Sequence, residues 1–351
     1  MNIVHICLAA PYRTGMGYQE NMLVKYHAKH HKVSVFTKPY NKEKQTGQEH
    51  GAVIYRMQGG IYESLCAEKP DFVFIHGTQF KEAKAVARYL KESGTPAVAD
   101  NHCDYSNSAR NPISKHLFHK RRWKKTTQAL LPYVKTIYGV LPARVDFVRE
   151  LYDVPKEKTS LLLMGADSEY VEKAQKKSFF SENVRITIVS GGKIDSAKRQ
   201  TANLIRAVRK LPEVGLVLFG SLDKEAKKAV KEELCDRILF LGWQSQKEYY
   251  STIKSADIAI YPGRHSVLWE ETAGLGVPLV VKDWEGTHHV AVKNQEGHTN
   301  CLFLKEDTEE EIIKILMQLL ADEKLLSHMK KAAQEAAGKF QYDVIAGRVL
   351  E

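Results

Sequence analysis

The residues most able to do chemistry lie in the segment 261–281, YPGRHSVLWEETAGLGVPLVV, where an apolar strand leads into a polar loop and a helix expected to open near Ser266. Such a helix presents free backbone N–H groups and its positive dipole end to a ligand, which favours phosphate binding. Glu270 and Glu271 follow in its first turns. A carboxylate repels phosphate, so we expect one of them to bind neutral hydroxyls, such as a ribose diol. The alternative is an ordinary strand–helix–strand unit whose acid favours the dipole.

A second candidate phosphate site follows the apolar stretch ITIVS. Gly191 and Gly192 would let the backbone approach a ligand closely, and Lys193 and Lys198 could place two ammonium groups on one diphosphate. The segment is neither a GxGxxG nor a Walker sequence, and solvated lysines after a Gly-Gly turn are the alternative. A third loop, after the stretch ILFL, could present the indole of Trp243 to a nucleotide base, or Trp243 could be a packing residue.

The composition describes a globular protein long enough for two domains. The chain has 351 residues, of which 43% are apolar, and no run approaches the roughly 20 apolar residues of a membrane-spanning helix. Its N-terminus leads directly into a strand and does not resemble a signal peptide. The five cysteines are scattered without a CxxC pair, which suits a reducing cytoplasm and gives no support for a zinc site or a disulfide framework.

The net charge of +10 is concentrated in the first half of the chain. Residues 1–170 carry 25 Lys and Arg against 16 Asp and Glu, a surplus of 9, whereas residues 171–351 carry 27 against 26, a surplus of 1. This imbalance predicts an anionic partner for the first half. No nucleic-acid-binding pattern is recognisable, so we expect no nucleic acid partner, and a membrane surface or a pyrophosphate-bearing lipid is the better candidate.

The densest basic stretch is 113–125, ISKHLFHKRRWKK, in which Leu117, Phe118 and Trp123 are interleaved with lysine and arginine. A cationic amphipathic helix of this kind can lie in a membrane interface. A solvated helix whose apolar side packs on the first domain is the alternative, and the two interpretations are compatible.

Apolar runs alternate with helical patterns along the whole chain, which indicates parallel sheets covered on both faces. We therefore predict an α/β protein with two doubly wound, Rossmann-like domains facing each other across a cleft, at residues 1–167 and 168–339, with a C-terminal helix of about 340–351 packing back on the first. The predicted strands are 3–8, 33–37, 72–76, 97–100, 136–141, 185–190, 215–219, 238–241, 258–261, 279–282 and 302–304.

Several of these segments, taken in order and spacing, resemble retaining glycosyltransferases of family 4, which have the GT-B fold. In the second half the resemblance rests on 193–198, 218–221, 240–243, 249–257 and 271–278, and in the first half on 14–17, His76, 100–104 and 163–167.

The resemblance implies a role for each matching residue. Lys193 and Lys198 would hold the donor diphosphate and neutralise it as it leaves, Glu271 would bind the ribose hydroxyls, and His102 would lie at the reacting centre. The donor side would comprise Gly17, Gly192, Lys193, Lys198, Trp243, Arg264, His265, Ser266, Val267, Leu268 and Glu271. The acceptor side would comprise Gly15, His76, His102 and Asp104.

One position departs from the family pattern. The family usually has a glutamate eight residues before the position of Glu271, where it contacts the donor sugar, and here that residue is Gly263. Arg264 or His265 could reach the sugar instead, which would suit an acidic or unusually substituted donor. Lys193 also stands where the family commonly has arginine, and it lacks the bidentate fork of a guanidinium.

The sequence thus predicts a metal-independent retaining glycosyltransferase of the hexosyl or N-acetylhexosaminyl type that needs no cofactor, with a nucleotide-diphosphate sugar as co-substrate. The acceptor would be a saccharide, lipid-linked, in bacterial surface-polysaccharide synthesis, and the enzyme would be cytoplasmic or peripheral at the inner face of the plasma membrane. A nucleotide-sugar 2-epimerase of the same fold and a noncatalytic saccharide-binding or partner subunit are the alternatives.

Overall fold

A computed structural model describes residues 1–12, 17–39, 44–194 and 200–351. The predicted site residues Gly15 and Lys198 lie outside the described residues. The chain divides into two compact units, of which the first comprises Met1–Leu163 and Ile345–Glu351 and the second Met164–Val344.

The first unit is built on an eight-stranded sheet whose order is β3-β4-β2-β1-β5-β6-β7-β8. All neighbouring strands run parallel except β3 and β4, which are antiparallel. The strands are β1 Asn2–Cys7, β2 Lys32–Thr37, β3 Thr46–Glu49, β4 Ala52–Arg56, β5 Phe72–Ile75, β6 Ala97–Asn101, β7 Ile137–Gly139 and β8 Thr159–Leu161.

Helices cover the faces of this sheet. As a result β1, β2, β5 and β6 are buried almost along their whole length. The core joins apolar strand residues to helix residues such as Leu65, Val86 and Phe147. The helices of this part of the chain are α1 Gly17–Ala28, α2 Ile61–Glu68, α3 Ala83–Ser93, a π-helix Ser114–Trp123, α4 Lys124–Leu130 and α5 Pro142–Tyr152.

The second unit contains a fully parallel six-stranded sheet with the order β11-β10-β9-β12-β13-β14. Its strands are β9 Ile186–Ile194, β10 Val214–Leu222, β11 Ile238–Phe240, β12 Ile258–Tyr261, β13 Leu279–Lys282 and β14 Cys301–Leu304. The accompanying helices are α6 Ser168–Lys173, α7 Gln200–Arg209, α8 Lys224–Glu233, α9 Gln246–Lys254, α10 Leu268–Gly274, α11 Glu309–Ala321, α12 Glu323–Ala336 and α13 Tyr342–Leu350, whose residues from Ile345 onward belong to the first unit.

Several details differ from the sequence prediction. Strand β9 was expected to end at residue 190, but it continues to Ile194 because β10 pairs with it as far as Leu222. Helix α10 begins at Leu268 rather than near Ser266 and has only seven residues. Strands β3, β4 and β8 were not predicted.

The basic stretch 113–125 is helical, but its winding differs from that of the predicted amphipathic helix. It forms a ten-residue π-helix that runs into α4. Trp123 packs against the core of the first unit, whereas Leu117 and Phe118 are 50% and 42% exposed. Among the described residues, no helix combines the length and hydropathy required to cross a bilayer.

Candidate functional site

The main candidate pocket of the second unit lies where the strand order reverses, between β9 and β12. In open α/β sheets this switch point, beyond the carboxyl ends of the strands, is the usual ligand site. A cavity of about 380 Å³ is present there. It is lined by Ser190, Gly191, Gly192, Lys193, Ile194, Gln200, Thr201, Tyr261, Pro262, Gly263, Arg264, His265, Ser266, Leu268 and Trp269.

Glycines bring the backbone of β9 and β10 together at the floor of this cavity. Gly192 has φ +111° and Gly220, its partner on β10, has φ +118°. A Cβ at Gly220 would lie 2.0 Å from the carbonyl oxygen of Gly192, so no side chain fits there. The adjacent Lys193 is exposed and lines the cavity. Gly192 and Lys193 thus line this cavity from a strand rather than from the predicted loop, and their role in donor binding stays a prediction.

The loop after β12 supplies the opposite wall and carries only basic titratable groups. Arg264 and Ser266 are exposed, and His265 is partly buried. An added Cβ at Gly263 would meet no atom within 4 Å, so the position without the expected carboxylate is open space. Among the fifteen lining residues that the structure describes, Lys193, Arg264 and His265 are basic, and none is acidic. The wall is therefore electrostatically suited to an anion.

Glu271 lies behind this pocket rather than on its wall. Its side chain is buried, and Oε1 accepts hydrogen bonds from the hydroxyls of Tyr249 at 2.8 Å and Tyr250 at 2.9 Å, and from Nε2 of Gln246 at 3.3 Å. Burial, together with the charge of Glu271, raises the pKa of Tyr249 far above its usual range, so this hydroxyl remains a donor. Ribose binding by Glu271 stays a prediction.

Glu270, one residue earlier, forms a buried cluster with two histidines. Nε2 of His265 and Nε2 of His289 each lie 2.7 Å from Oε1 of Glu270, which is fully buried. Burial opposes ionisation of this carboxyl, but the charge and hydrogen bonds of His265 and His289 lower its pKa to about 2. The ligand atoms lie within 4.8 Å of one another, and two histidines with a glutamate are a donor set that transition metals accept. Each imidazole already points a nitrogen at the same oxygen, so hydrogen bonding accounts for the geometry.

Three further donor-side candidates do not line this pocket. Trp243 is 78% exposed in the loop after β11, Val267 precedes α10, and Gly17 is the first residue of α1.

A second pocket, of about 370 Å³, lies in the first unit beyond the carboxyl ends of β1, β5 and β6. This is the switch point of the first sheet, between β1 and β5. The pocket is lined by Ala9, Ala10, Gln79, His102, Cys103, Asn107, Ser108 and Arg144. Of the acceptor-side candidates, the structure places His102 directly on it.

His76 and Asp104 lie behind this surface. His76 is fully buried, with its two ring nitrogens 2.9 Å from His5 and 3.0 Å from Asp100. The Asp104 carboxylate accepts bonds from Ser106 and Asn107 and pairs with Nε of Arg144 at 3.0 Å. Both side chains are thus engaged within the fold. Asp104 contributes to the pocket through Arg144, which the sequence did not single out.

Comparison with known proteins supports this architecture. Residues 171–336 match the family model described as Glycosyl transferases group 1. Over 172 residues, 47% of the chain, the sequence is 22% identical to a phosphatidyl-myo-inositol mannosyltransferase of Mycolicibacterium smegmatis, and the alignment spans 44% of that protein. The chain therefore aligns with less than half the length of this curated relative.

Similar solved structures cover the whole chain. The structure of Anabaena Alr3699/HepE in complex with UDP matches with a TM-score of 0.69 at 15% identity, covering 100% of this chain and 98% of that one. The chain has the GT-B fold. A glycosyltransferase from Rickettsia africae matches with a TM-score of 0.68 at 13% identity, covering 99% and 96% of the two chains. The UDP-GlcNAc 2-epimerase of Neisseria meningitidis matches with a TM-score of 0.61 at 12% identity, covering 100% and 98%. The predicted α/β class with two parallel-sheet domains is thereby confirmed, and the family match supports a glycosyltransferase.

Proposed function

We propose that this chain is a retaining, metal-independent glycosyltransferase that moves a sugar from a nucleotide-diphosphate donor to a saccharide acceptor. The observation that carries this proposal is the pocket at the switch point of the second unit, whose described lining residues include three basic and no acidic side chains, within the part that matches the glycosyltransferase model. Complexes of the Anabaena neighbour with UDP and with UDP-glucose make uridine diphosphate sugars the first donors to test.

In this proposal Lys193 supplies positive charge to the donor diphosphate, as do Lys198, which lies outside the described residues, and backbone N–H groups at 266–268. Charge that develops on a leaving diphosphate is stabilised by fixed cations and N–H donors, so no metal ion is required. Arg264 and His265 face the same cavity and would contact the transferred sugar beside the open space at Gly263. A sugar bearing a carboxylate is a donor that these two basic residues would favour.

His102 is the proposed reactive-centre residue on the acceptor side, because it lines the pocket at the switch point of the first unit. Arg144 lines the same pocket and would bind an anionic part of the acceptor, such as the phosphate of a lipid-linked saccharide.

We further propose that the π-helix docks the first unit on an anionic membrane, where lipid-linked acceptors for surface-polysaccharide synthesis are found. Ile113, Leu117 and Phe118 are exposed, and Arg121 and Lys125 are exposed nearby. Lys124 is already paired with Asp153. The exposed combination of apolar and basic side chains suits an interfacial segment.

Vesicle co-sedimentation tests the docking proposal. Each basic residue near an anionic leaflet contributes about 1 kcal/mol, so replacing Arg121, Arg122 and Lys125 by glutamine should weaken binding on the order of 100-fold. The matched control replaces three exposed lysines of α8, namely Lys227, Lys228 and Lys231. Equal losses in both triple variants would refute a specific docking surface and leave only a net-charge effect.

A transfer assay tests the proposed glycosyltransferase activity. The protein is incubated with a panel of nucleotide sugars and saccharide acceptors in the presence of a chelator. A glycosylated product whose anomeric configuration equals that of the donor is expected. Conversion of UDP-N-acetylglucosamine to its 2-epimer without acceptor would identify an epimerase instead, an alternative to which the epimerase neighbours give a matching fold. Nucleotide binding without any turnover would favour a noncatalytic subunit.

A further inference from the structure

Three imidazoles and one carboxylate form a continuous hydrogen-bonded chain inside the first unit. Nε2 of His27 lies 3.0 Å from the carbonyl oxygen of Ala346, and its Nδ1 lies 3.0 Å from Nε2 of His5. Nδ1 of His5 lies 2.9 Å from Nε2 of His76, whose Nδ1 lies 3.0 Å from Oδ2 of Asp100. His27 is 2% exposed and the other three side chains are fully buried. This hydrogen-bonded chain of side chains links α1, β1, the end of β5 and β6.

The backbone carbonyl at one end fixes where the protons lie. A carbonyl oxygen only accepts, so Nε2 of His27 must carry a proton. Burial lowers the pKa of His27 to about 4, so at neutral pH the ring is neutral and its Nδ1 accepts from Nε2–H of His5. Burial also lowers the pKa of His5 well below its ordinary value. His5 is therefore neutral as well, and its Nδ1 accepts from Nε2–H of His76.

The carboxylate at the other end fixes the second proton of His76. Burial opposes ionisation of Asp100, but the nearby His102 and His76 hold its pKa well below the usual range. An ionised carboxylate only accepts, so Nδ1 of His76 must donate to it. His76 then carries protons on both ring nitrogens.

We propose that His76 and Asp100 form a buried imidazolium–carboxylate pair that positions His102 at the pocket of the first unit. Oδ1 of Asp100 accepts from the backbone N–H of Gly77 at 2.8 Å, which fixes the carboxylate, and Oδ2 lies 3.3 Å from Nε2 of His102. With Nε2 of His102 directed at Asp100, its Nδ1 is the ring nitrogen left to meet a substrate hydroxyl.

This inference rests on the proposed function only for the substrate that His102 meets. Asp100 and His76 are positioning residues, since neither lines the pocket. Among the described residues, other titratable groups that face this hydrogen-bonded chain include Cys7 on β1, whose thiol pKa burial raises well above its ordinary range, and Glu20 on α1, whose charge acts on Cys7. They also include Cys103, after β6, whose thiol pKa is raised by burial and by the charge of Asp100. The charge of His31, which follows α1, also lowers the pKa of His27.

Nitrogen-15 NMR of histidine-labelled protein, without any ligand, tests the pair directly. At pH 8 a histidine of ordinary pKa 6.5 is about 97% neutral. We expect one imidazole of the intact protein to remain protonated on both nitrogens at that pH. This signal should disappear in His76→Gln and become an ordinary titrating signal in Asp100→Asn, whereas the control His30→Gln, at an exposed position, should retain it. A parent spectrum at pH 8 in which every imidazole carries a single proton would overturn the proposal.

The positioning role has a separate kinetic test with UDP-glucose as donor. Asp100→Asn should lower kcat on the order of 100-fold or more while leaving the donor KM and the affinity for uridine diphosphate unchanged, since the donor pocket lies in the second unit. Unchanged kcat in folded Asp100→Asn would remove the positioning role. Should the NMR signal be present in a protein that transfers no sugar, the buried pair would stand and the proposed function would fail.

Discussion

The buried histidine His27 should make the first unit sensitive to acid, and His27→Gln should relieve part of that sensitivity. In the native state burial lowers the pKa of His27 to about 4, whereas an unfolded histidine titrates near 6.5. Between these values the unfolded state binds one more proton than the native state. The free energy of unfolding therefore falls as the pH falls from about 6.5 to about 4, and this loss is absent above 6.5.

The two pKa values set the size of the effect. Between pH 7.5 and pH 5.0 a single histidine with these values removes about 2 kcal/mol from the free energy of unfolding. A glutamine at position 27 can still donate to the carbonyl of Ala346 and accept from His5, but it binds no proton. The variant should therefore lose about 2 kcal/mol less than the parent over the same change of pH.

Methionine oxidation by peroxide in increasing urea measures this for each unit separately. Met22 on α1 is 3% exposed and reports the first unit, while Met329 on α12 is 1% exposed and serves as the internal control in the second. Mass spectrometry gives the urea midpoint of each at both pH values. Equal acid-induced losses at Met22 in parent and variant would refute the reasoning, and a changed midpoint at Met329 would show that the substitution acts elsewhere.

Three further predictions concern the second unit. If the Lys193 side chain stabilises the leaving diphosphate, Lys193→Ala should lower turnover about 100-fold and Lys193→Arg should retain most of it. Steady-state kinetics measures this, and equal activity of the parent and both variants would contradict that role. Gly220→Ala should destabilise the unit by more than about 2 kcal/mol in urea unfolding, because its Cβ would overlap the carbonyl of Gly192 at a positive φ; unchanged stability would mean that β9 and β10 are not so close. Glu271→Gln should weaken binding of bare uridine diphosphate in calorimetry, since an amide is a poorer acceptor for ribose hydroxyls; a loss confined to the sugar-bearing donor would assign Glu271 to the sugar.

The sheets were predictable because most strands are apolar along their whole length. Strand β3, TGQE, is polar and lies at the sheet edge, and β8 is three residues long, so neither has a recognisable pattern. The extension of β9 through Gly191 and Gly192 was missed because glycine usually ends a strand, whereas here it permits the close approach of β10.

The pocket residues nearest in sequence to a strand end were also predictable, and the clusters that join distant segments were not. Glu270 meets His289, and His27 meets His5 and His76, only in the folded chain. One signal was present: His5 interrupts the otherwise apolar run from Ile3 to Cys7 of β1, and a buried polar side chain in such a strand must have a partner.

If a nucleotide diphosphate binds at the switch point of the second sheet, as proposed, hydrogen exchange measured with and without uridine diphosphate should detect it. Saturating nucleotide should slow exchange in peptides that contain Ser190–Ile194 and Tyr261–Leu268, and leave those that contain Asp100–Asp104 unchanged. Protection confined to the first unit, or no protection at millimolar nucleotide, would contradict nucleotide binding at this switch point.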